Sequence, residues 1–148
     1  YRKLRERQLK LLNSFTPEEL ATIPAGFKNN ILWNIAHCVV TQQLYCYANS
    51  DLPTYLSDDF IAKYRKGTAP DGHIPTAAEI EEVRSLMFST LDHLEADYAK
   101  GIFKHYNHYL TVIEYPLTNI DEAIYFNISH EGVHLGSVLA LKCAIAKK

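Results

Sequence analysis

The segment NILWNIAHCVVTQQLYCYAN, residues 30–49, contains no glycine or proline and is apolar almost all the way round. Such a stretch forms a helix buried on more than one side, because no continuous polar stripe is left to face water. A small helical bundle offers only one interior. The second apolar face, Ile31, Ile35, Cys38, Val39 and Cys46, therefore needs cover from the helix that precedes it or from a second subunit, and a homodimer is one expected answer.

The rest of the chain supplies the partners. Residues 1–15 place Leu4, Leu11, Leu12 and Phe15 near one side of a helix, with Arg, Lys and Glu elsewhere. Thr16-Pro17-Glu18-Glu19 reads as an N-cap followed by proline at the first helical position, opening a single short turn that Pro24 and Gly26 close. Pro53, Gly67, Pro70, Gly72 and Pro75 then punctuate residues 50–75, leaving room for at most one short helix within SDDFIAKYRK. After Thr76, a narrow stripe of Ile80, Val83, Met87, Leu91, Leu94 and Tyr98 predicts a third long helix, with Gly101 as its stop.

The stretch IFKHYNHYLTVIEYPL is aromatic and β-branched enough for a short extended piece that Pro116 ends. Thr118 or Asn119 caps a last helix reaching about Ala146. Asp121 and Glu122 at its start and Lys147 and Lys148 at its end complement the helix dipole. The expected fold is all-α, a four-helix bundle with a long crossover between the second and third long helices, in a single domain over residues 1–148.

Charge and patterning narrow the function. A formal net charge of −2, from 15 basic and 17 acidic residues, gives no field that would gather a polyanion, so nucleic acid is not an expected partner. No apolar run approaches the roughly 20 residues needed to span a bilayer. The opening YRKLRERQLKLLNSF lacks a signal peptide's uninterrupted apolar centre, although the start at Tyr1 leaves room for residues ahead of it. Cys38, Cys46 and Cys143 are an odd number without the spacing of a disulfide framework or zinc knuckle. Reduced, buried thiols in a cytoplasmic protein are the expectation.

The last helix carries the chemistry. In His130-Glu131-Gly132-Val133-His134 the two imidazoles are four residues apart and so lie one turn over each other. Their face continues through Ala123, Phe126, Asn127, Ser137, Val138, Leu141 and Ile145, an apolar, core-facing stripe. A core histidine on its own is more often hydrogen-bonded than metal-bound, and two imidazoles leave a divalent ion undersaturated, since catalytic zinc normally has three protein ligands.

H-E-x-x-H is the zincin pattern, in which the glutamate is the general base. Here the residues after His134 contain no His, Asp or Glu, and the extended pattern fails at Ser137 and Ala140. A downstream ligand is excluded. Upstream, His37 shares a face with Asn30, Trp33, Asn34, Thr41 and Leu44, a polar column in an apolar helix, and a buried imidazole needs a partner. Setting that helix beside the last one would complete a three-histidine set with open positions. Asn34 and Asn127, each three residues before a ligand, are candidates to orient the rings. Glu131 is a candidate base, or else pairs with a surface cation. His73, His93, His105 and His108 read as surface residues.

NILWNIAHCVVTQQ together with FNISHEGVHLGSVLALK resembles the DinB/YfiT-like superfamily of metalloenzymes over nearly the whole chain, the closing HExxHLG segment being the most specific part. The resemblance implies a four-helix bundle that often dimerises, and a metal-binding triad of His37, His130 and His134 occupied by zinc or nickel. It also implies a small-molecule substrate: members with assigned activities include thiol transferases using bacillithiol or mycothiol and a mycothiol-dependent isomerase. The expected function is thus a metal-dependent enzyme, a low-molecular-weight-thiol S-transferase acting on small electrophiles. The alternatives are a non-catalytic metal- or ligand-binding bundle and a hydrolase using Glu131 as base.

Overall fold

The structure, a computed structural model, describes residues 1–146. These are all-α apart from one small hairpin. Helices run over Arg2–Leu12 (α1), Pro17–Ala21 (α2), Ile31–Cys46 (α3), Asp58–Tyr64 (α4), Ala77–Ala99 (α5) and Ile120–Ile145 (α6). Between α5 and α6, Tyr109–Leu110 (β1) pairs antiparallel with Pro116–Leu117 (β2). Pro116 therefore sits in the second strand of the extended piece instead of ending it. Lys147 and Lys148 lie outside the described residues; Lys142 stands in the last turn of α6, where a cation offsets the carbonyl end of the dipole.

The helix starts follow from local chemistry. Thr16 and Thr76 each accept from the backbone N–H three residues on, while Glu19 and Glu79 return the bond to the cap's own N–H. Asn30 and Asn119 cap α3 and α6 through their side-chain oxygens. Each such cap contributes about 1 kcal/mol and fixes where its helix begins. At the other end of α5, Gly101 adopts φ +66°, a left-handed conformation that only glycine enters without cost, and the helix stops there.

α3 is the central element. Every residue from Ile31 to Gln43 is buried, and α1, α2, α4, α5 and α6 all pack on it. Its second apolar face is covered within the chain: Cys38 is fully buried and meets Arg5 and Gln8 of α1. Of the two covers considered from the sequence, the preceding helix supplies it, and α3 gives no reason for a second subunit. α1 and α3 each pack against both α5 and α6.

Three sequence expectations are corrected by this packing. The buried face of α1 is Arg5, Gln8, Leu11 and Leu12, so two polar residues lie where only leucines were expected, and Leu4 and Phe15 are only half-buried. Tyr98, at the end of the α5 stripe, is exposed, because its hydroxyl reaches out to Asp121. Cys143 is exposed while Cys38 and Cys46 are buried. It sits two residues, about 200° of rotation, past the buried Leu141.

Candidate metal centre

α3 and α6 are neighbours along their length, and their pairing sets three imidazoles against one another. His37 stands midway along α3; His130 and His134 face it from successive turns of α6. Ring centroids are 5.3 Å apart for His37–His130, 4.9 Å for His37–His134 and 4.5 Å for His130–His134. One nitrogen of each ring lies within 4.8 Å of those of the others. Among the described residues no other set of three or more His, Cys, Asp or Glu converges in this way.

Hydrogen bonds fix two of the three tautomers. His37 Nδ1 lies 2.7 Å from the Tyr64 carbonyl oxygen, which can only accept, so Nδ1 carries the proton and Nε2 presents a lone pair. The Thr41 hydroxyl, 3.2 Å from that Nε2, then donates to it. His134 Nδ1 lies 2.8 Å from Asn34 Oδ1. The Asn34 amide nitrogen is already committed to the Asn30 carbonyl at 2.7 Å and to Asn29 Oδ1 at 2.9 Å, so the oxygen must be the atom that faces His134. The third ring differs. His130 Nδ1 is buried with no protein partner at all, and a buried polar atom without a partner calls for a ligand or a water.

Burial keeps the cluster neutral. Desolvation, followed by the facing imidazoles of His134 and His37, pushes His130 down to about 3. Desolvation and then His37 push His134 down to about 4. His37 is also lowered by desolvation, against an opposing pull from the Tyr64 carbonyl. Trp33 stacks on His37 at 4.5 Å and 9°, shielding one side of the site. Neutral imidazoles with lone pairs turned to a common space are what a borderline divalent cation requires, and the orphaned His130 nitrogen fits such an ion.

The outer residues divide. Asn34 braces His134 on the facing helix and not His37, the ligand three residues after it, whereas Asn127 braces no ring: its amide donates to the Ala123 carbonyl at 2.9 Å and lies 3.9 Å from Cys46 Sγ. Glu131 is not on the surface and is not among the converging groups. It is fully buried and paired with the equally buried Arg5, whose Nε reaches its two oxygens at 2.9 and 3.0 Å. Arg5 also donates to the Met87 carbonyl at 2.8 Å. The reason lies in the phase of α6. Its buried line runs through Ala123, Asn127, Glu131, Val138 and Leu141, so Glu131 is at the centre of the buried face and the histidines at its flank.

Sequence reasoning missed Arg5, Gln8 and the Tyr64 carbonyl. The first two were legible as polar residues three apart on the leucine side of the first helix; a backbone carbonyl from a crossover leaves no residue-type signal. The remaining histidines are peripheral: His93 stacks on Tyr55 at 3.8 Å, His73 lies 2.9 Å from Glu79, His105 lies 3.4 Å from Asp51, and His108 is exposed. Beside His37 and His130 opens a cavity of about 440 Å³ walled by Leu44, Tyr45, Tyr109, Val112 and Phe126. No described helix is long and apolar enough to cross a membrane.

No curated protein sequence matches the chain significantly. The sequence profile of the DinB superfamily does match, over residues 1–138, a span that includes all three histidines, the whole of α3 and α6 as far as Val138. The chain belongs to the DinB superfamily.

Proposed function

We propose that this chain is a metal-dependent enzyme in which His37, His130 and His134 hold one divalent ion, zinc or nickel, and that it transfers a low-molecular-weight thiol to a small electrophile. The observation that carries the reading is the state of the three rings: neutral, two with tautomers set by Tyr64 and Asn34, and one with a buried nitrogen left without a partner. A divalent ion held there supplies a Lewis acid that lowers the pKa of a thiol or water within reach. The protein's own residues do the rest. The Tyr64 carbonyl and Asn34 keep lone pairs aimed inward, Trp33 excludes water from one side, and the adjoining cavity receives the apolar part of a substrate.

In such a transfer the thiol sulfur bonds to the electrophilic carbon, the leaving group departs with the bonding pair, and the thiol proton passes to solvent. Hydrolysis with Glu131 as base is the weaker reading, because Arg5 occupies both carboxylate oxygens. A purely structural ion is also weaker, since closed structural sites use four protein ligands and three converge here. The paired packing of α1, α3, α5 and α6 supports a four-helix bundle with the long crossover between α3 and α5, folded as one domain. The free cysteines support a cytoplasmic setting.

Metal analysis of protein purified without added ions tests the reading. About one divalent ion per chain is expected in the wild type, and close to none in His37→Ala and His134→Ala. Equal metal content in all three proteins would remove the site. Screening small thiols with chlorodinitrobenzene as acceptor then tests the transfer.

A further inference from the structure

The cavity beside the imidazoles is apolar on most of its wall, yet one lining residue carries a full charge. Leu44, Tyr45, Phe126 and Val112 supply hydrocarbon and aromatic surface, and Thr41 and Asn49 are neutral polar groups; Lys66 is the single charged side chain that lines it. Lys66 is exposed, so it stands where the cavity meets solvent. It pairs with no carboxylate among the described ion pairs, unlike its neighbour Lys63, whose ammonium lies 2.8 Å from Glu79. Its placement follows from the crossover: the chain leaving α4 gives its Tyr64 carbonyl to His37 and, two residues later, turns Lys66 toward the same cavity.

We infer that the cavity selects small molecules combining an apolar or aromatic body with a carboxylate, the body against Tyr45 and Phe126, the carboxylate on the Lys66 ammonium, and the reacting end toward His37 and His130. This deepens the proposed function and rests on its placement of the reaction at the imidazoles. The exposed ammonium attracts the carboxylate only modestly, and the apolar wall holds the body of the same molecule beside it. A neutral molecule of the same shape keeps the apolar contact and loses the ion pair. A small anion without a body keeps only the ion pair, which at a solvated site contributes little.

The test is a calorimetric titration of phenylacetate, phenylacetamide and acetate into wild type, Lys66→Gln, Lys66→Arg and, as control, Lys63→Gln. Each titration is run with and without zinc, with zinc content measured alongside. Wild type should bind phenylacetate more tightly than either of the other probes. Lys66→Gln should weaken phenylacetate by about fivefold while leaving phenylacetamide unchanged, and Lys66→Arg should retain the preference. Lys63→Gln should behave as wild type. The inference is overturned if phenylacetate does not bind wild type, or if its advantage over the amide survives in Lys66→Gln. The loss is expected with or without zinc, so a wild type that takes up no zinc yet shows it would sink the metal reading and keep the cavity assignment. Normal zinc uptake with no effect at Lys66 would do the reverse.

Discussion

Two buried polar clusters meet on α6, one residue apart, and they are built on opposite principles. At Glu131 the charges cancel and both carboxylate oxygens accept from one guanidinium, which spends a further N–H on the Met87 carbonyl. At His130 and His134 there is no charge to cancel, and a buried nitrogen is left over. A cluster that satisfies itself holds the fold together and has nothing to offer a ligand. A cluster with two rings braced and a buried nitrogen left over has something to offer a ligand. The H-E-x-x-H segment thus divides its labour: the glutamate anchors α6 to α1, and the two histidines, both turned about 60–100° to the same side of it, reach toward α3.

The contrast can be broken most directly at the ion pair. Removing one partner of a buried pair strands the other charge, so Glu131→Ala or Arg5→Ala should lower unfolding free energy by about 3–5 kcal/mol, measured by urea denaturation of the metal-free protein. Arg5→Met combined with Glu131→Met should recover most of that loss, because the stranded charge is gone. A single variant as stable as wild type would mean that the pair does not anchor the fold.

The imidazoles should behave in the opposite way. His37→Ala should weaken zinc by more than about 100-fold, beyond the loss expected for an outer partner. Its cost to the metal-free protein should be nearer about 1 kcal/mol, that of an ordinary substitution. Competition titration with a chromophoric chelator measures the first and urea denaturation the second; a stability loss matching that of Glu131→Ala would erase the distinction.

The two asparagines sharpen the comparison further. Asn34→Ala removes the acceptor that sets His134's tautomer and should weaken zinc by about 10- to 100-fold. Asn127→Ala should leave zinc affinity unchanged and lower stability by about 1–2 kcal/mol through the lost bond to Ala123. Equal effects of both on zinc would place Asn127 closer to the site than its hydrogen bonds do.

The two clusters also differ in their response to pH. Unfolded histidines take up protons below about 6.5, whereas His134 and His130 resist down to about 4 and 3. The unfolded state binds more protons in that window, so the metal-free protein should lose stability as pH falls from about 6.5 toward 4. Relative to wild type, His130→Ala should flatten that slope in parallel denaturation curves. An unchanged slope would show the ring to be solvated.

Much of this arrangement was legible in the chain. Thr16 announced the start of its helix, and Thr118 or Asn119 that of α6, because a cap is a local event; the segment from residue 30 to 49 announced a central helix because it lacks glycine and proline and is apolar almost all round. His37, His130 and His134 could be brought together from spacing and the absence of any downstream ligand. Glu131 could not be placed, because a rotation of one residue about α6 decides between a base at the site and an anchor in the core. That phase is set by Arg5, whose burial is a tertiary fact. Asn127 went astray for the same reason, and Tyr64 acts through its backbone, which sequence does not mark.

X-ray absorption at the metal edge of the zinc-loaded protein tests the open cluster most directly. Three imidazole nitrogens at about 2.0–2.1 Å, falling to two in His37→Ala, are the expected first neighbours. Zinc surrounded by oxygen or sulfur alone, with the same spectrum in His37→Ala, would show that the ion sits elsewhere.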